Sequence, residues 1–351
     1  MNNVARTPSR ERADLFAETA ARKGVSEAII EKDFWVCWIL KQLFSLEALS
    51  GRLLFKGGTS LSKIFHAINR FSEDIDLAVD YVALGFTGDR DPRREGLSKT
   101  KRAAILANMM TACQRYIGGE FVEILRGRCG EILGSSDAWD IDVSDQDPNV
   151  VRFRYPVAAT GLPYINPQVV LELGTHAEFV PHDRFTVRAF AAEEFPKLFD
   201  APDVGVTALL AKRTFWEKAT ILHAEFFRPA EKALPGRYSR HYYDLAMLAL
   251  SPIRTEALAD MDLLAQVVTH KQIFYPAGWA RYDLARPGSL HLLPADERRA
   301  ALERDYRDMG IMIFGAPPSF ESIADTLAAL EQEINRQYAG AGGFAPPNEG
   351  I

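Results

Sequence analysis

Two stretches restrict this chain more than any others: Leu53-Leu54-Phe55-Lys56-Gly57-Gly58-Thr59-Ser60-Leu61-Ser62-Lys63, then Arg70-Phe71-Ser72-Glu73-Asp74-Ile75-Asp76-Leu77-Ala78-Val79. An apolar run ends on two glycines, and a segment of helical character follows. That order predicts a buried strand at 53–55, a turn at Gly57-Gly58, a helix over 60–68 and a second strand over 75–79. Glycine at the turn lets backbone amides approach a polyphosphate, and a helix N-terminus just beyond it favours negative charge.

Asp74 and Asp76 lie two apart in the second strand, so their side chains share a face while Ile75 and Leu77 point into the core. Two carboxylates on one face repel each other unless a cation sits between them. A magnesium ion supplies that cation and can bridge phosphate oxygens. Solvated acids at a strand end are the simpler explanation of Asp-x-Asp alone; the upstream glycines favour the metal. Thr59, Ser60 and Ser62 can cap the helix or bond a phosphate, and the two uses are compatible. The G-x-x-x-x-G-K-[ST] order of a Walker A loop is absent, which argues against an ATPase of that class.

Glu172 stands among Val169, Val170, Leu171 and Leu173, where an unpaired charge is costly. It either has a partner or a metal, or faces solvent at an edge; as a base it would deprotonate the attacking hydroxyl. Lys218 shares a helical face with Phe215, Ala219 and Leu222, so it either snorkels to water or offers a point charge to a triphosphate. Lys212 and Arg213 are weaker candidates. Arg240 and Asp244 are spaced i,i+4 at an aromatic-rich helix start, and His241 beside them reads as structural. The cluster Arg90, Arg93, Arg94, Lys99, Lys101 and Arg102 is either a solvated loop and helix start or a contact for an RNA backbone.

The 351 residues suffice for two modest domains, and 47% hydrophobic with 25% charged residues is globular composition. A net charge of −6 does not advertise nucleic-acid binding over the whole surface, yet it permits a local basic groove. Cys37, Cys113 and Cys129 are odd in number and lack metal-ligand spacing, so neither structural disulfides nor zinc are expected, and a reducing cytoplasm fits best. Residues 1–12 lack the apolar region of a secretory signal, and no stretch is apolar enough to span a membrane. The expected organisation is an N-terminal helical segment over 1–50, with Ser26 capping a helix, and a core over 51–195. A helical lobe over 196–338 and a glycine- and proline-rich tail over 339–351 follow. Within it, strands are expected at 150–155 and 169–173, and helices at 98–117, 206–225, 241–250, 254–269, 294–312 and 319–338.

Taken together, these segments resemble the AbiEii/AbiGii family, the nucleotidyltransferase-like toxins of bacterial type IV toxin–antitoxin systems. The likeness is carried by Glu31-Lys32-Asp33-Phe34-Trp35, the glycine and aspartate segments above, Phe215-Trp216-Glu217-Lys218-Ala219 and Ser239-Arg240-His241-Tyr242-Tyr243-Asp244-Leu245. It implies an α+β chain: a polymerase-β-like nucleotidyltransferase core, a small mixed sheet flanked by helices, followed by a helical C-terminal lobe. It also implies transfer of a nucleotide from an NTP, with Mg²⁺ or Mn²⁺, to an acceptor such as tRNA or other RNA, and a cognate antitoxin as partner. By motif, Asp74, Asp76 and Glu172 would hold the metal. Gly57, Gly58, Thr59, Ser60, Lys63, Lys218 and Arg240 would hold the nucleotide, and Asp244 takes the family's late acidic role. The site would then be a cleft between two lobes. A nucleotide-binding module without transfer activity, acting as a sensor or partner-binding protein, is the competing reading, because it needs the glycines and Lys218 but not every acid.

Overall fold

The computed structural model describes residues 1–72, 74–135, 137–159 and 166–340, so Glu73 of the aspartate segment and positions 341–351 of the expected tail lie outside it. The chain divides into two compact units, Met1–Leu210 and Ala211 onward. The first opens with helices α1 (Asn2–Ala5), α2 (Ser9–Lys23) and α3 (Glu27–Ser45). Gly24 ends α2 in the left-handed conformation that glycine alone adopts cheaply, and the Ser26 hydroxyl accepts the Ile29 amide to cap α3. There follow β1 (Leu53–Lys56), α4 (Gly57–Lys63) and β2 (Asp74–Val79). Then come α5 (Lys99–Tyr116), α6 (Val122–Leu133), β3 (Asp140–Val143), β4 (Val150–Arg154) and β5 (Gln168–Gly174). The unit closes with β6 (His182–Val187), α7 (Phe190–Glu194) and β7 (Val204–Leu209).

These strands form one mixed sheet in the order β3-β4-β5-β2-β1-β7-β6. Parallel pairing joins β2 to β5 and β1 to β7, and the remaining neighbours are antiparallel. Strand alternation sorts side chains between two faces. Phe55, Ile75, Leu77, Ile141, Phe153 and Leu171 enter a core with Phe34, Trp35 and Trp38 of α3 and Leu125 and Cys129 of α6. Trp35 stacks on Tyr155 and Trp38 on Phe153, each at 5.7 Å between ring centroids. Cys113 and Cys129 are buried, and burial pushes their thiols up to about 11 and about 12; they pack as small apolar side chains. On the opposite face Leu54, Ala78 and Leu209, with Ala177 and Phe179 against them, form a small apolar cluster. The rest of that face is free to carry polar groups.

The second unit is helical among the described residues: α8 (Ala211–Phe226), α9 (Ser239–Ala249), α10 (Ile253–Leu258), α11 (Met261–Phe274), α12 (Asp296–Met309) and α13 (Phe320–Gly340). The chain is α+β, a mixed sheet flanked by helices and then a helical unit, as the sequence implies. Three local expectations change. Residues 206–209, read as the start of a long helix, belong to β7. Val204-Gly205-Val206-Thr207 is β-branched at alternate positions and pairs with β1 and β6, which outweighs the apolar continuity into α8. The helix expected over 254–269 is two, because the Asp260 side chain caps Leu263 and starts α11 afresh. The helix after the glycines contains them, running Gly57–Lys63 rather than over 60–68.

No helix among the described residues is long and apolar enough to cross a membrane.

Candidate active site

The polar face of the sheet gathers the acids. Asp74 and Asp76 alternate with buried Ile75 and Leu77 along β2, and the parallel register with β5 places Glu172 directly beside Asp76. On the other side of β2, antiparallel pairing sets Lys56 opposite Asp76. One row across three strands therefore reads Lys56, Asp76, Glu172. Glu172 is exposed although its chain neighbours Leu171 and Leu173 are buried, since alternation turns it to the open face.

The glycines are explained by contact as well as by conformation. Gly57 has φ +78°, and a Cβ there would lie 1.8 Å from the Asp76 Oδ2 and 2.9 Å from its Cβ. At Gly58 a Cβ would meet Arg70 Nη2 at 2.7 Å and Ser72 Oγ at 2.8 Å. The turn is thus bare backbone packed between the Asp76 carboxylate and the Arg70 guanidinium.

The side chains expected to reach phosphate are occupied within the fold. The Thr59 hydroxyl bonds Ser72 Oγ at 2.9 Å and donates to the Asp74 carbonyl, tying α4 to the start of β2. The Ser60 hydroxyl donates to the Gly57 carbonyl at 2.9 Å. Lys63 donates to Asp33 Oδ1 at 2.7 Å, both side chains buried. Burial disfavours the Lys63 ammonium, but the adjoining carboxylate outweighs it and holds the pKa above its usual value. Of the expected nucleotide ligands in this unit, Gly57 and Gly58 lie against Asp76 and Arg70, whereas Thr59, Ser60 and Lys63 brace the turn from behind.

Among the described residues no group of three His, Cys, Asp or Glu side chains is gathered as metal ligands. What the face offers is a pair of carboxylates with a third acid in the adjacent strand. That all-oxygen set fits Mg²⁺, which keeps several waters and is usually bound through one or two carboxylates plus substrate phosphates.

In the helical unit, Lys218 of α8 and Asp244 of α9 form an ion pair at 2.8 Å, with the lysine side chain 9% exposed and the aspartate 0%. Read from the sequence as separate candidates, they form one buried pair in the fold. Lys212 pairs with Asp260 and Arg213 with Glu217, while Arg240 is exposed on the first turn of α9. The basic cluster after β2 is largely spent internally. Arg94 pairs with Asp89, Arg93 with Asp91 and Glu178, Arg90 lies over the Phe86 ring, and Arg102 donates to the Pro92 carbonyl. Lys99 and Lys101 are exposed.

Sequence reasoning assigned no role to Lys56, Arg70, Ser72 or Asp33. Lys56 carried a signal, since it immediately precedes Gly57 at a strand end. Nothing local marks Asp33 as the partner of a lysine thirty residues later.

The family model described as nucleotidyl transferase AbiEii toxin, type IV toxin–antitoxin system, matches residues 38–329. None of the curated proteins matches the chain. Among solved structures it is similar to MenT4, a nucleotidyltransferase toxin from Mycobacterium tuberculosis H37Rv, at 16% identity and a TM-score of 0.38, covering 93% of this chain and 98% of that one. It is also similar to JHP933 from Helicobacter pylori, at 13% identity and a TM-score of 0.40, covering 88% and 94%. The family match reaches across the glycine turn, all three acids and the Lys218–Asp244 pair, and on it the chain belongs to the AbiEii family of nucleotidyltransferase toxins of type IV toxin–antitoxin systems.

Proposed function

We propose that this protein moves a nucleoside monophosphate from an NTP to an RNA acceptor, tRNA included, with Mg²⁺ or Mn²⁺ held by Asp74 and Asp76. The observation that carries the reading is the packing of the Asp76 carboxylate on Gly57, which fixes an acid pair against the half-buried glycine turn. Family membership supports nucleotidyl transfer and an antitoxin partner; the metal, the NTP, the RNA acceptor and action in the cytoplasm are the proposal. When bound, the ion would neutralise charge on the phosphates and on the departing pyrophosphate. Gly57 and Gly58 present backbone to the triphosphate, and Lys56, in register with Asp76, adds positive charge on the same face. Glu172 accepts the proton of the attacking hydroxyl. The resemblance implies a triphosphate-binding role for Lys218, whose ammonium Asp244 holds, and a nucleotide contact for Arg240.

The test incubates the protein with each labelled NTP and total tRNA, beside an Asp76→Ala variant. Label in RNA that depends on Asp76 supports the reading. Absence of product with every NTP would sink it. NTP binding by calorimetry without divalent metal, undiminished in Asp74→Ala, would point instead to a binding module.

A further inference from the structure

Glu31, Lys32 and Asp33 are consecutive on α3 and only 2%, 1% and 5% exposed. Burying three charges in a row is costly unless each is satisfied. Each is. The Glu31 carboxylate accepts the amides of Ala158 and Ala159 at 2.7 and 3.1 Å, and Lys32 donates to the Asn166 carbonyl at 3.2 Å. Those bonds hold both ends of the connection that leads into β5, the strand of Glu172. Asp33 takes Lys63 on one oxygen at 2.7 Å and the Phe190 amide on the other at 2.6 Å, and the Lys63 ammonium lies 4.0 Å from the Phe190 ring centroid.

Lys63 is the last residue of α4, whose first residue is Gly57. A helix of seven residues has almost no stability of its own, so its placement is set by what grips its ends. The near end is gripped by Thr59 on Ser72 and the Asp74 carbonyl. We infer that Asp33 and Lys63 are positioning residues of the site: their buried ion pair grips the far end of α4 and keeps Gly57-Gly58 seated on Asp76 and Arg70. The inference rests on the proposed reading in taking Asp76 as the reaction centre. It removes Lys63 from the nucleotide ligands, since an ammonium enclosed by Asp33 and Phe190 is not offered to phosphate.

Hydrogen exchange on the full-length chain tests the grip without reference to activity. The informative amides are Ile64 and Ala67, which bond back to Ser60 and Leu61 in α4. In Lys63→Met they should exchange at least tenfold faster, with β5 amides unchanged, and Lys63→Arg should restore protection. Asp33→Asn keeps the side chain's shape and serves if Lys63→Met does not fold. In nucleotide transfer the same variants should lose at least tenfold in kcat while KM for NTP moves less than twofold. Unchanged α4 exchange would overturn the grip, and a tenfold higher KM at unchanged kcat would return Lys63 to the phosphate ligands. If the wild type transfers no nucleotide, the functional reading fails while the exchange result still decides the grip.

Discussion

The Asp76 Oδ2 lies 1.8 Å from where a Cβ on Gly57 would stand. Carboxylate and glycine define each other's position, so the aspartate pair and the double glycine are one structure, although eighteen residues separate Gly57 from its partner strand's second acid.

Gly57→Ala should therefore damage the site twice. The new methyl displaces the carboxylate, and an L side chain at φ +78° costs about 1–2 kcal/mol. A shift of about 1 Å at reacting groups can cost roughly 100-fold in rate. We expect a loss of that order in transfer activity with a modest fall in Tm. Gly58→Ala meets only the ends of two side chains, so it should lose less. Equal activity of Gly57→Ala and wild type in the labelled-NTP assay would contradict the packing argument.

Lys218 and Asp244 make a stability prediction independent of any substrate. Removing one member of a buried pair leaves the other unpaired, which costs about 3–5 kcal/mol, whereas replacing both with apolar residues of similar volume is often neutral. In urea unfolding, Lys218→Met and Asp244→Leu should each lower the midpoint markedly, and the double variant should recover most of the loss. Additive losses in the double variant would show that the pair is not the stabilising unit.

His223 gives the helical unit a pH dependence. Its Nε2 donates to the Arg281 carbonyl at 2.9 Å and its Nδ1 accepts the His291 amide at 3.2 Å, so the folded state needs the neutral ring. Burial lowers its pKa from 6.5, a shift the Arg281 bond only partly opposes. The unfolded chain thus binds a proton first as pH falls. The contribution is intact above about pH 6.5 and is lost as pH falls from there through the depressed folded value. His223→Gln should lower stability at pH 7.5 and flatten its decline between about pH 6.5 and 5, read as urea midpoints across that range.

Much of this arrangement was legible because it is local. Alternation around Ile75 and Leu77 placed Asp74 and Asp76 on one face, and Ser26 before an apolar helical run marked the start of α3. Glu172 was harder, since a single sequence does not reveal that β5 is central to the sheet yet open on one side. The partners of Thr59, Ser60 and Lys63 are hidden for a related reason: a hydroxyl or ammonium beside a glycine turn has the chemistry to bind phosphate. Only tertiary contacts, with Ser72, the Asp74 carbonyl and Asp33, show that it is already engaged. Strand β7 was lost into α8 because an apolar run has no period that separates a buried strand from a buried helix.

The central claim, an acid pair on β2 that supports nucleotidyl transfer, is tested most directly by following the two ends of the triphosphate. NTP labelled at the α-phosphate and NTP labelled at the γ-phosphate are each incubated with tRNA and divalent metal, using wild type, Asp74→Asn and Asp76→Asn with unchanged Tm. The account predicts α-label in the RNA, γ-label only in released pyrophosphate, and background levels in both variants. Label from the γ-phosphate in the RNA, or α-label transfer that survives both substitutions, would contradict it.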